Sequence, residues 1–225
     1  MKRYVITIDG PAGAGKTTVS RRLANRLGFT YIDTGALYRG VAYEAKMRGI
    51  QQEDDSGLEA LCRSLDIGFA RQDDNALRLV SGGVDITEQI RTPEITMLAS
   101  AVSARAPVRS FLLEVQRQMG EGGAVVLEGR DMGTVVFPEA DMKFFLTADP
   151  EVRAIRRYRE LTPGSQALED VARDMLRRDE DDSRREIAPL KPAADAVRID
   201  ATHLSADDVV DKMLCHIRRH EEHPV

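Results

Sequence analysis

A glycine-rich segment near the start of the chain carries the residue types that bind phosphate groups. Gly10, Gly15, Lys16 and Thr17 fit the pattern GxxxxGK(S/T). Glycines at 10, 13 and 15 would let backbone N–H groups turn inward around phosphates, because no side chain obstructs them. Lys16 could reach the β- and γ-phosphates of a nucleotide, and the Thr17 hydroxyl could ligate a Mg²⁺ ion that bridges them. The segment predicts a triphosphate site; the alternative is a glycine turn that merely joins two elements.

The stretches on either side of this segment predict the context that a phosphate loop requires. Tyr4 to Ile8 is mostly apolar, which predicts a short buried strand. Val19 to Leu27 has apolar residues at 19, 23, 24 and 27, which is a helical spacing. The helix would direct the positive end of its dipole at the loop. We therefore expect a strand, a phosphate loop and a helix in direct succession.

Further apolar runs predict the sheet to which the first strand belongs. The predicted strands are Phe29 to Asp33, Ala124 to Glu128, Met142 to Leu146 and Ala196 to Ile199. The later predicted helices are Pro93 to Arg105, Pro107 to Met119 and Ser205 to Ile217, with His220 to Val225 as a frayed tail. This order predicts an α/β protein with a P-loop NTPase-type three-layer fold and a five-stranded parallel sheet.

The second predicted strand ends in residues that could bind a ligand. Thr34 occupies a good N-cap position for a helix with apolar residues at 37, 41, 45 and 47. Arg39 would lie about one turn beyond the carboxyl end of the strand, the edge where open α/β sheets bind ligands. The alternative is that Thr34 is only a cap and Arg39 only a surface charge.

The pattern changes between Gly49 and Thr92. Leu65 to Ala70 and Ala76 to Val80 are predicted short strands, and Ser81-Gly82-Gly83 is a predicted turn that leads into Val84 to Thr87. We predict a small inserted antiparallel sheet here, not another β–α–β repeat.

The stretch from Arg153 to Arg185 is rich in charge, with nine arginines, eight acidic residues and no lysine. Neighbours four residues apart could form a solvated charge ladder on a helix: Asp174 with Arg178, Arg177 with Asp181, and Arg178 with Asp182. Alternatively, Thr162-Pro163-Gly164-Ser165 divides the stretch into two helices joined by a hinge. We favour the second interpretation, a helical lid that carries arginines over a triphosphate.

Composition argues against several classes of protein. The net charge of −5 and the aromatic content of 5% argue against a nucleic-acid-binding protein. Arginine supplies 26 of the 32 basic residues, a bias that suits phosphate binding but that a GC-rich genome also produces. Cys62 and Cys215 are isolated and lack metal-type spacing. No apolar run approaches the ~20 residues that span a bilayer, and we expect no signal peptide, so we expect a cytoplasmic protein.

Several segments together resemble the bacterial-type cytidylate kinases, which belong to the nucleoside monophosphate kinases. The resemblance is carried by residues 8–16 (IDGPAGAGK), 33–39 (DTGALYR), 90–92 (IRT), 128–138 (EGRDMGTVVFP), 188–190 (APL) and 193–195 (AAD). It spans nearly the whole chain. The phosphate loop alone is shared with many kinases and GTPases, whereas the block 129–138 combined with the threonine-glycine-alanine helix start is far more specific.

The resemblance implies transfer of the γ-phosphoryl group of ATP to CMP or dCMP, with Mg²⁺. The implied ATP-binding residues are Gly10, Pro11, Ala12, Gly13, Ala14, Gly15, Lys16, Thr17, Thr18 and Arg156, with Thr17 as the metal ligand. The implied substrate-binding residues are Thr34, Arg39, Arg109, Arg130, Asp131, Arg178, Asp182 and Arg185. The implied catalytic residues are Lys16, Arg130, Arg178 and Arg185.

The family pattern also implies what the substrate-binding residues do. Thr34, Arg109 and Asp131 would read the cytosine edge, with threonine where the family often has serine. The acceptor phosphate would be held by Arg39 and Arg130, and approached from the lid by Arg178 and Arg185. Asp182 would meet the sugar hydroxyls. Glu128 stands where the family often has a shorter acid, and we assign it no role.

The resemblance further implies how the chain is organised. We expect one kinase unit, with a core of residues 1–48, 93–150 and 188–225, a monophosphate-binding insertion at about 49–92 and a lid at about 151–187. We expect a monomer that binds neither nucleic acid nor membrane. Two rival hypotheses are a kinase for another small acceptor, such as a different monophosphate, and a nucleotide-driven switch. The sequence lacks the asparagine-lysine-x-aspartate segment by which GTPases read guanine, which disfavours the switch.

Overall fold

The computed structural model describes residues 3–71, 77–161 and 166–222. The strands are β1 (Val5–Asp9), β2 (Thr30–Asp33), β3 (Ile67–Arg71), β4 (Leu77–Ser81), β5 (Val84–Asp85), β6 (Val125–Gly129), β7 (Met142–Thr147) and β8 (Val197–Asp200). The α-helices are α1 (Lys16–Leu27), α2 (Thr34–Met47), α3 (Asp55–Ser64), α4 (Pro93–Val102), α5 (Ala106–Gly120), α6 (Pro150–Glu160), α7 (Leu168–Arg184) and α8 (Ala206–Glu222). A 3₁₀ helix spans Gln89–Arg91, and a π-helical turn spans Met132–Val136.

Contacts between residues divide the chain into two units. The first unit comprises Met1–Ile32 and Gly120–Val225, and the second comprises Asp33–Met119. This division is coarser than the predicted one, so the boundaries of core, insertion and lid stay predictions. No helix in the described ranges is both long enough and apolar enough to cross a membrane.

The first unit is built on a five-stranded parallel sheet with the order β2-β6-β1-β7-β8. β1 lies between β6 and β7, and each of its residues from Ile6 to Asp9 is buried. Central strands of a parallel sheet are covered on both faces, which explains their nearly continuous apolar sequences. At the carboxyl ends of β1 and β6, Ile8 pairs with Glu128 and Asp9 with Gly129. The predicted sheet is confirmed, and its strands begin and end close to the predicted positions.

Helices α1 and α8 share one apolar core with this sheet. Ile6, Leu23, Phe144 and Met213 are among its buried side chains. α8 begins with a reciprocal cap, because the Ser205 hydroxyl accepts the N–H of Asp208 at 3.2 Å and the Asp208 carboxylate accepts the N–H of Ser205 at 3.0 Å. The cap is as predicted. The predicted frayed tail is wrong for residues 220–222, which continue the helix, and residues 223–225 lie outside the described chain.

Helices α6 and α7 form a pair with a small apolar core of their own. Ala154, Val171 and Met175 are its buried members, and Ala12 of the phosphate loop packs against them. The two helices of the predicted lid are therefore present and contact the loop. The predicted hinge, residues 162–165, lies outside the described residues.

The second unit combines the antiparallel sheet β3-β4-β5 with helices α2 to α5. Its core contains Leu37, Leu58, Leu79 and Leu112, all buried. The predicted hairpin is confirmed: Ser81 pairs with Val84 across Gly82-Gly83, and both glycines have the positive φ that two-residue hairpin turns favour.

This unit departs from the prediction at one helix cap and in one additional helix. Thr34 is not the N-cap of α2, because the Asp33 side chain accepts the N–H of Ala36 at 3.3 Å and Thr34 is the first helical residue. Helix α3 was not predicted; Asp54 caps it by accepting the N–H of Gly57 at 2.9 Å. The predicted strand from Ala76 corresponds to β4, and Ala76 itself lies outside the described residues.

Candidate active site

The phosphate loop joins the end of β1 to the start of α1. Gly10, Gly13 and Gly15 have positive φ angles of 147°, 70° and 96°. A β-carbon on Gly10 would lie 2.0 Å from the carbonyl oxygen of Leu146, and one on Gly13 would lie 2.7 Å from that of Arg153. Glycine is therefore required at both positions. Gly15 supplies no side chain to cap α1, so the first N–H groups of the helix can bind an anion.

Lys16 lies inside the loop that it is predicted to serve. Its Nζ atom donates a 2.8 Å hydrogen bond to the carbonyl oxygen of Pro11, and the residue is only 8% exposed. Burial lowers the pKa of Lys16 to about 7, and the charge of Arg130 contributes in the same direction while that of Glu128 opposes it. A bound phosphate anion would favour the ammonium form again. The loop is thus electrostatically suited to an anionic ligand.

The hydroxyl of Thr17 is directed at Glu128. Thr17 Oγ1 donates a 2.8 Å hydrogen bond to Glu128 Oε1, and the Tyr31 hydroxyl donates to the same oxygen at 2.8 Å. Because the Thr17 proton points to the carboxylate, the lone pairs of its oxygen are available to a cation. A hydroxyl and a carboxylate are the hard oxygen ligands that suit Mg²⁺.

These two residues fit the way in which Mg²⁺ is held by phosphate loops. Within residues 3–71, 77–161 and 166–222, no group of three or more His, Cys, Asp or Glu side chains is arranged to hold a metal. Magnesium is ordinarily bound by one or two protein oxygens together with water and substrate phosphates, so a large acidic cluster is not needed. Thr17 and Glu128 are therefore the residues that could hold it.

A cavity of about 300 Å³ opens beside the phosphate loop. Thr18 and Arg156, both predicted ATP-binding residues, line it, and so does Arg159, which the sequence did not single out. The Arg156 guanidinium donates to the carbonyl oxygens of Ala14 at 3.4 Å and Ala201 at 2.7 Å, which fixes it at the cavity wall. The position next to the loop suits the nucleoside part of a triphosphate.

Four predicted substrate-binding residues meet around a buried carboxylate. We call Arg130, Asp131, Asp182 and Arg185 the acid–arginine network. Arg130 Nε lies 3.0 Å from Asp182 Oδ2, and the Arg185 guanidinium lies 3.7 Å from Asp182 Oδ1 and 3.6 Å from Asp131 Oδ1. Burial alone would raise the pKa of Asp182, but Arg130, Arg178 and Arg185 outweigh it and hold that pKa below its usual range. The network thus keeps two guanidinium groups in fixed orientations.

The charged residues of α7 lie in two environments. Exposed pairs form along the helix between Arg173 and Asp170 and between Arg184 and Glu180. Asp179 instead pairs with the buried Arg153 of α6. On the same helix, Arg178 lies close enough to Lys16 and Asp182 to lower the pKa of both. These exposed pairs differ from the predicted pairs 174/178, 177/181 and 178/182, and the role of α7 as a lid stays a prediction.

The remaining predicted substrate-binding residues belong to the second unit. Arg39 forms an ion pair with Asp33, with 2.7 Å between Nη2 and Oδ2. The Arg109 guanidinium lies 5.6 Å from the centre of the Tyr38 ring and donates to the carbonyl oxygen of Ser103 at 3.0 Å. Thr34 is buried. The three residues lie in the second unit and the other five in the first, so their joint action on one acceptor stays a prediction.

A family model described as cytidylate kinase matches residues 6–219. The chain belongs to the cytidylate kinase family. The cytidylate kinase of Geobacter sp. (strain M21) is 52% identical over 211 residues, which cover 93% of this chain and 90% of the relative. The cytidylate kinase of Geobacter sulfurreducens is 50% identical over 219 residues, which cover 96% of this chain and 94% of the relative. Membership of this family makes the protein a nucleoside monophosphate kinase.

Solved structures of more distant kinases support the fold. A shikimate kinase from Bacteroides thetaiotaomicron has a TM-score of 0.50 and 15% identity, with 96% of this chain and 98% of that chain covered. A gluconokinase from Sinorhizobium meliloti has a TM-score of 0.50 and 16% identity, with 98% of this chain and 94% of that chain covered. At these identities the likeness concerns the fold alone, which is the predicted P-loop kinase fold.

Two acidic residues of this cytidylate kinase family member received no predicted role from the sequence. Glu128 contacts the predicted metal ligand Thr17. Asp9 accepts the N–H groups of Met132 and Gly133 at 2.9 and 2.8 Å. Burial raises the pKa of Asp9 to about 6, although the two backbone hydrogen bonds act against the rise. Asp9 is the last residue of β1 and Glu128 the next-to-last residue of the neighbouring strand β6, and that position is the signal by which they could have been found.

Proposed function

We propose that this kinase transfers the γ-phosphoryl group of ATP to CMP or dCMP in a reaction that requires Mg²⁺. The observation that carries the proposal is the closeness of the acid–arginine network to the phosphate loop. Arg130 of this network and the neighbouring Arg178 lie near enough to Lys16 that their positive charges contribute to lowering its pKa. Such a concentration of positive charge suits a site that brings two anions together.

The donor nucleotide would occupy the loop and the cavity beside it. Backbone N–H groups of residues 12–16 and the start of α1 would bind the β- and γ-phosphates. The ammonium of Lys16 would exchange the Pro11 carbonyl for phosphate oxygens. The nucleoside part would lie in the cavity lined by Thr18 and Arg156.

Thr17 and Glu128 are the residues to which we assign Mg²⁺. Held there, Mg²⁺ would supply positive charge that offsets the negative charge of the phosphates during transfer. Glu128 would orient the Thr17 hydroxyl through the hydrogen bond that the two share. Tyr31 would hold the Glu128 carboxylate in place.

On the acceptor side, we assign the phosphate of CMP to arginines. Arg130 and Arg185 are held by Asp182, so their donors could face an incoming phosphate without first being ordered. Arg39 would contribute from the second unit. By resemblance to the family, Thr34, Arg109 and Asp131 would read the cytosine edge, and Asp182 would meet the sugar hydroxyls.

The reaction needs little acid–base chemistry. An oxygen of the acceptor phosphate forms the new bond to the γ-phosphorus, the bond from that phosphorus to the β–γ bridging oxygen breaks, and ADP leaves. The attacking oxygen is already anionic at neutral pH, so the chain need not supply a strong base. Its contribution is to position two anions and to offset their repulsion, which would otherwise oppose their approach.

An acceptor screen tests the proposal. AMP, GMP, UMP, CMP and dCMP are each offered with ATP and Mg²⁺, and ADP release is followed in a coupled assay. CMP and dCMP should give the highest kcat/KM. Preference for a purine monophosphate would overturn the base assignment, and ADP release that does not depend on any monophosphate would overturn the transfer. A cytoplasmic location and a monomeric state stay predictions from the sequence.

A further inference from the structure

Asp9 occupies an unusual position for a charged residue. It is the last residue of the central strand β1, it directly precedes the first glycine of the phosphate loop, and it is only 4% exposed. Oδ1 accepts the N–H of Met132 at 2.9 Å, and Oδ2 accepts the N–H of Gly133 at 2.8 Å. Both oxygens of one buried carboxylate are thus used by two consecutive backbone amides more than a hundred residues away in the sequence.

The segment that Asp9 holds carries part of the acid–arginine network. Arg130 and Asp131 immediately precede Met132, which begins the π-helical turn Met132–Val136. That turn is closed by the N–H of Val135, which donates to the carbonyl oxygen of Asp131 at 2.9 Å. A displacement of the amides of Met132 and Gly133 would therefore move the backbone that bears Arg130 and Asp131.

We propose that Asp9 is a positioning residue that holds the segment Arg130–Gly133 in register with the phosphate loop, and thereby sets the binding of the acceptor monophosphate. The inference rests on the proposed function, in which Arg130 and Asp131 bind that monophosphate. In this proposal Asp9 contacts neither nucleotide directly. It acts through the two amides, and its immediate neighbour Gly10 belongs to the loop that binds the donor.

The chemistry of the pair of amides requires a carboxylate. Two N–H donors point at one side chain, and an ionised aspartate presents an acceptor to each. Asparagine has nearly the same shape but one acceptor and one NH₂ group, so one amide would face another donor. Asp9→Asn is therefore a nearly isosteric change that disturbs the segment at one hydrogen bond and also removes a negative charge that interacts with Lys16.

The chain offers a matched control at the opposite end of the same strand. Asp141 Oδ2 accepts the N–H of Val5 at 2.8 Å, which is again a carboxylate bound to a backbone amide of β1. Asp141→Asn makes the same chemical change far from the phosphate loop: it removes the carboxylate charge but keeps one oxygen that can accept the single N–H of Val5. It should affect stability but not acceptor binding.

The test compares wild type, Asp9→Asn and Asp141→Asn by steady-state kinetics with each substrate varied in turn, and by thermal unfolding. For Asp9→Asn we expect the KM for CMP to rise about tenfold or more and kcat to fall, with the KM for ATP changed by less than about threefold. Asp141→Asn should keep both KM values within about twofold of wild type. A rise in the KM for CMP without a comparable rise in the KM for ATP is the result that a merely structural role would not give.

The inference is overturned if Asp9→Asn lowers the melting temperature as Asp141→Asn does but leaves the KM for CMP and kcat unchanged. If Asp9→Asn does not fold, Asp9→Glu replaces it; this variant keeps two acceptors but displaces them by one methylene group, and the same CMP-specific defect is expected. Wild-type protein that fails to phosphorylate CMP or dCMP would instead contradict the proposed function. The two failures are therefore distinguishable.

Discussion

Arg130 and Asp182 form an ion pair in which Nε and Oδ2 are 3.0 Å apart, with the carboxylate buried and the Arg130 side chain partly exposed. The two residues are 52 positions apart in the sequence: Arg130 follows β6 and Asp182 lies on α7. Asp182 also lies within 3.7 Å of Arg185, so one carboxylate orients two guanidinium groups. This arrangement connects α7 to the end of β6.

Replacing this carboxylate should affect both stability and acceptor use. Asp182→Asn leaves Arg130 and Arg185 without their shared charge, so we expect the free energy of unfolding to fall by about 3 kcal/mol. We also expect kcat/KM for CMP to fall about 100-fold, with the KM for ATP little changed. Urea denaturation and kinetics measure the two effects. Glu180→Gln, which removes an exposed partner of Arg184 on the same helix, is the control and should change the unfolding free energy by less than about 1 kcal/mol.

Lys16 should matter far more for rate than for folding. Lys16→Met keeps most of the apolar volume and removes the charge, so we expect kcat to fall by about 100-fold or more. The pKa of Lys16 is lowered to about 7 in the folded protein, whereas the unfolded chain retains the ordinary value near 10.5. Between these values the unfolded chain binds more protons, so wild type should gain stability relative to Lys16→Met as pH rises from 7 to 10. Melting temperatures of wild type and Lys16→Met, measured between pH 7 and pH 10, test this expectation. If the two melting temperatures change with pH in parallel, the lowered pKa is contradicted.

Asp9 should give the opposite kind of pH dependence. Its pKa is raised to about 6 from the ordinary value of 3.8, mainly by burial. Between these values the folded protein binds more protons, so the stabilising contribution is complete below about pH 4 and is lost as pH rises through 6. Relative to Asp9→Asn, wild type should therefore lose up to about 3 kcal/mol of stability between pH 4 and pH 7. Chemical denaturation of both proteins at several pH values measures this difference, and a constant difference would rule out the raised pKa.

The buried pair of Arg153 and Asp179 should show strong energetic coupling. Arg153 also donates to the carbonyl oxygen of Ala12 in the phosphate loop at 3.1 Å, so it joins the loop to α7. We expect Arg153→Met to lower the free energy of unfolding by about 3–5 kcal/mol, because Asp179 is left charged and largely buried. The double variant with Asp179→Leu should be less destabilised than the sum of the single variants. Additive effects in this double-mutant cycle would mean that the pair is not coupled.

The sequence was sufficient to predict features that depend on local pattern. The phosphate loop and β1 follow from a glycine motif and an apolar run, and both signals are complete within Tyr4 to Thr17. Helix α3 was missed because it is short and has Gly57 in its first turn, a residue that lowers helix propensity. The cap of α2 was assigned to the wrong residue because Asp33 and Thr34 are both good caps. In the structure Asp33 ends β2 and caps the helix, and Thr34 is the first helical residue.

Roles that depend on distant partners could not be predicted from local pattern. Asp9 and Glu128 are acids at strand ends in the sequence, and their roles become visible only when the sheet brings Asp9 to Met132 and Glu128 to Thr17. Arg153 was one of nine similar arginines, and its burial depends on how α6 packs on α7 and the loop. The resemblance to cytidylate kinases supplied most of the predicted site residues, because no spacing rule connects Arg39, Arg130 and Arg185.

The most direct test of the central claim follows the phosphoryl group itself. ATP labelled in its γ-phosphate is mixed with Mg²⁺, CMP and a molar excess of either wild-type enzyme or Lys16→Met. The labelled products are separated after a single turnover. We predict that the label appears in CDP with wild type and at least about 100-fold more slowly with Lys16→Met. Label that remains in ATP, or that is released as inorganic phosphate while CMP stays unlabelled, would contradict the account.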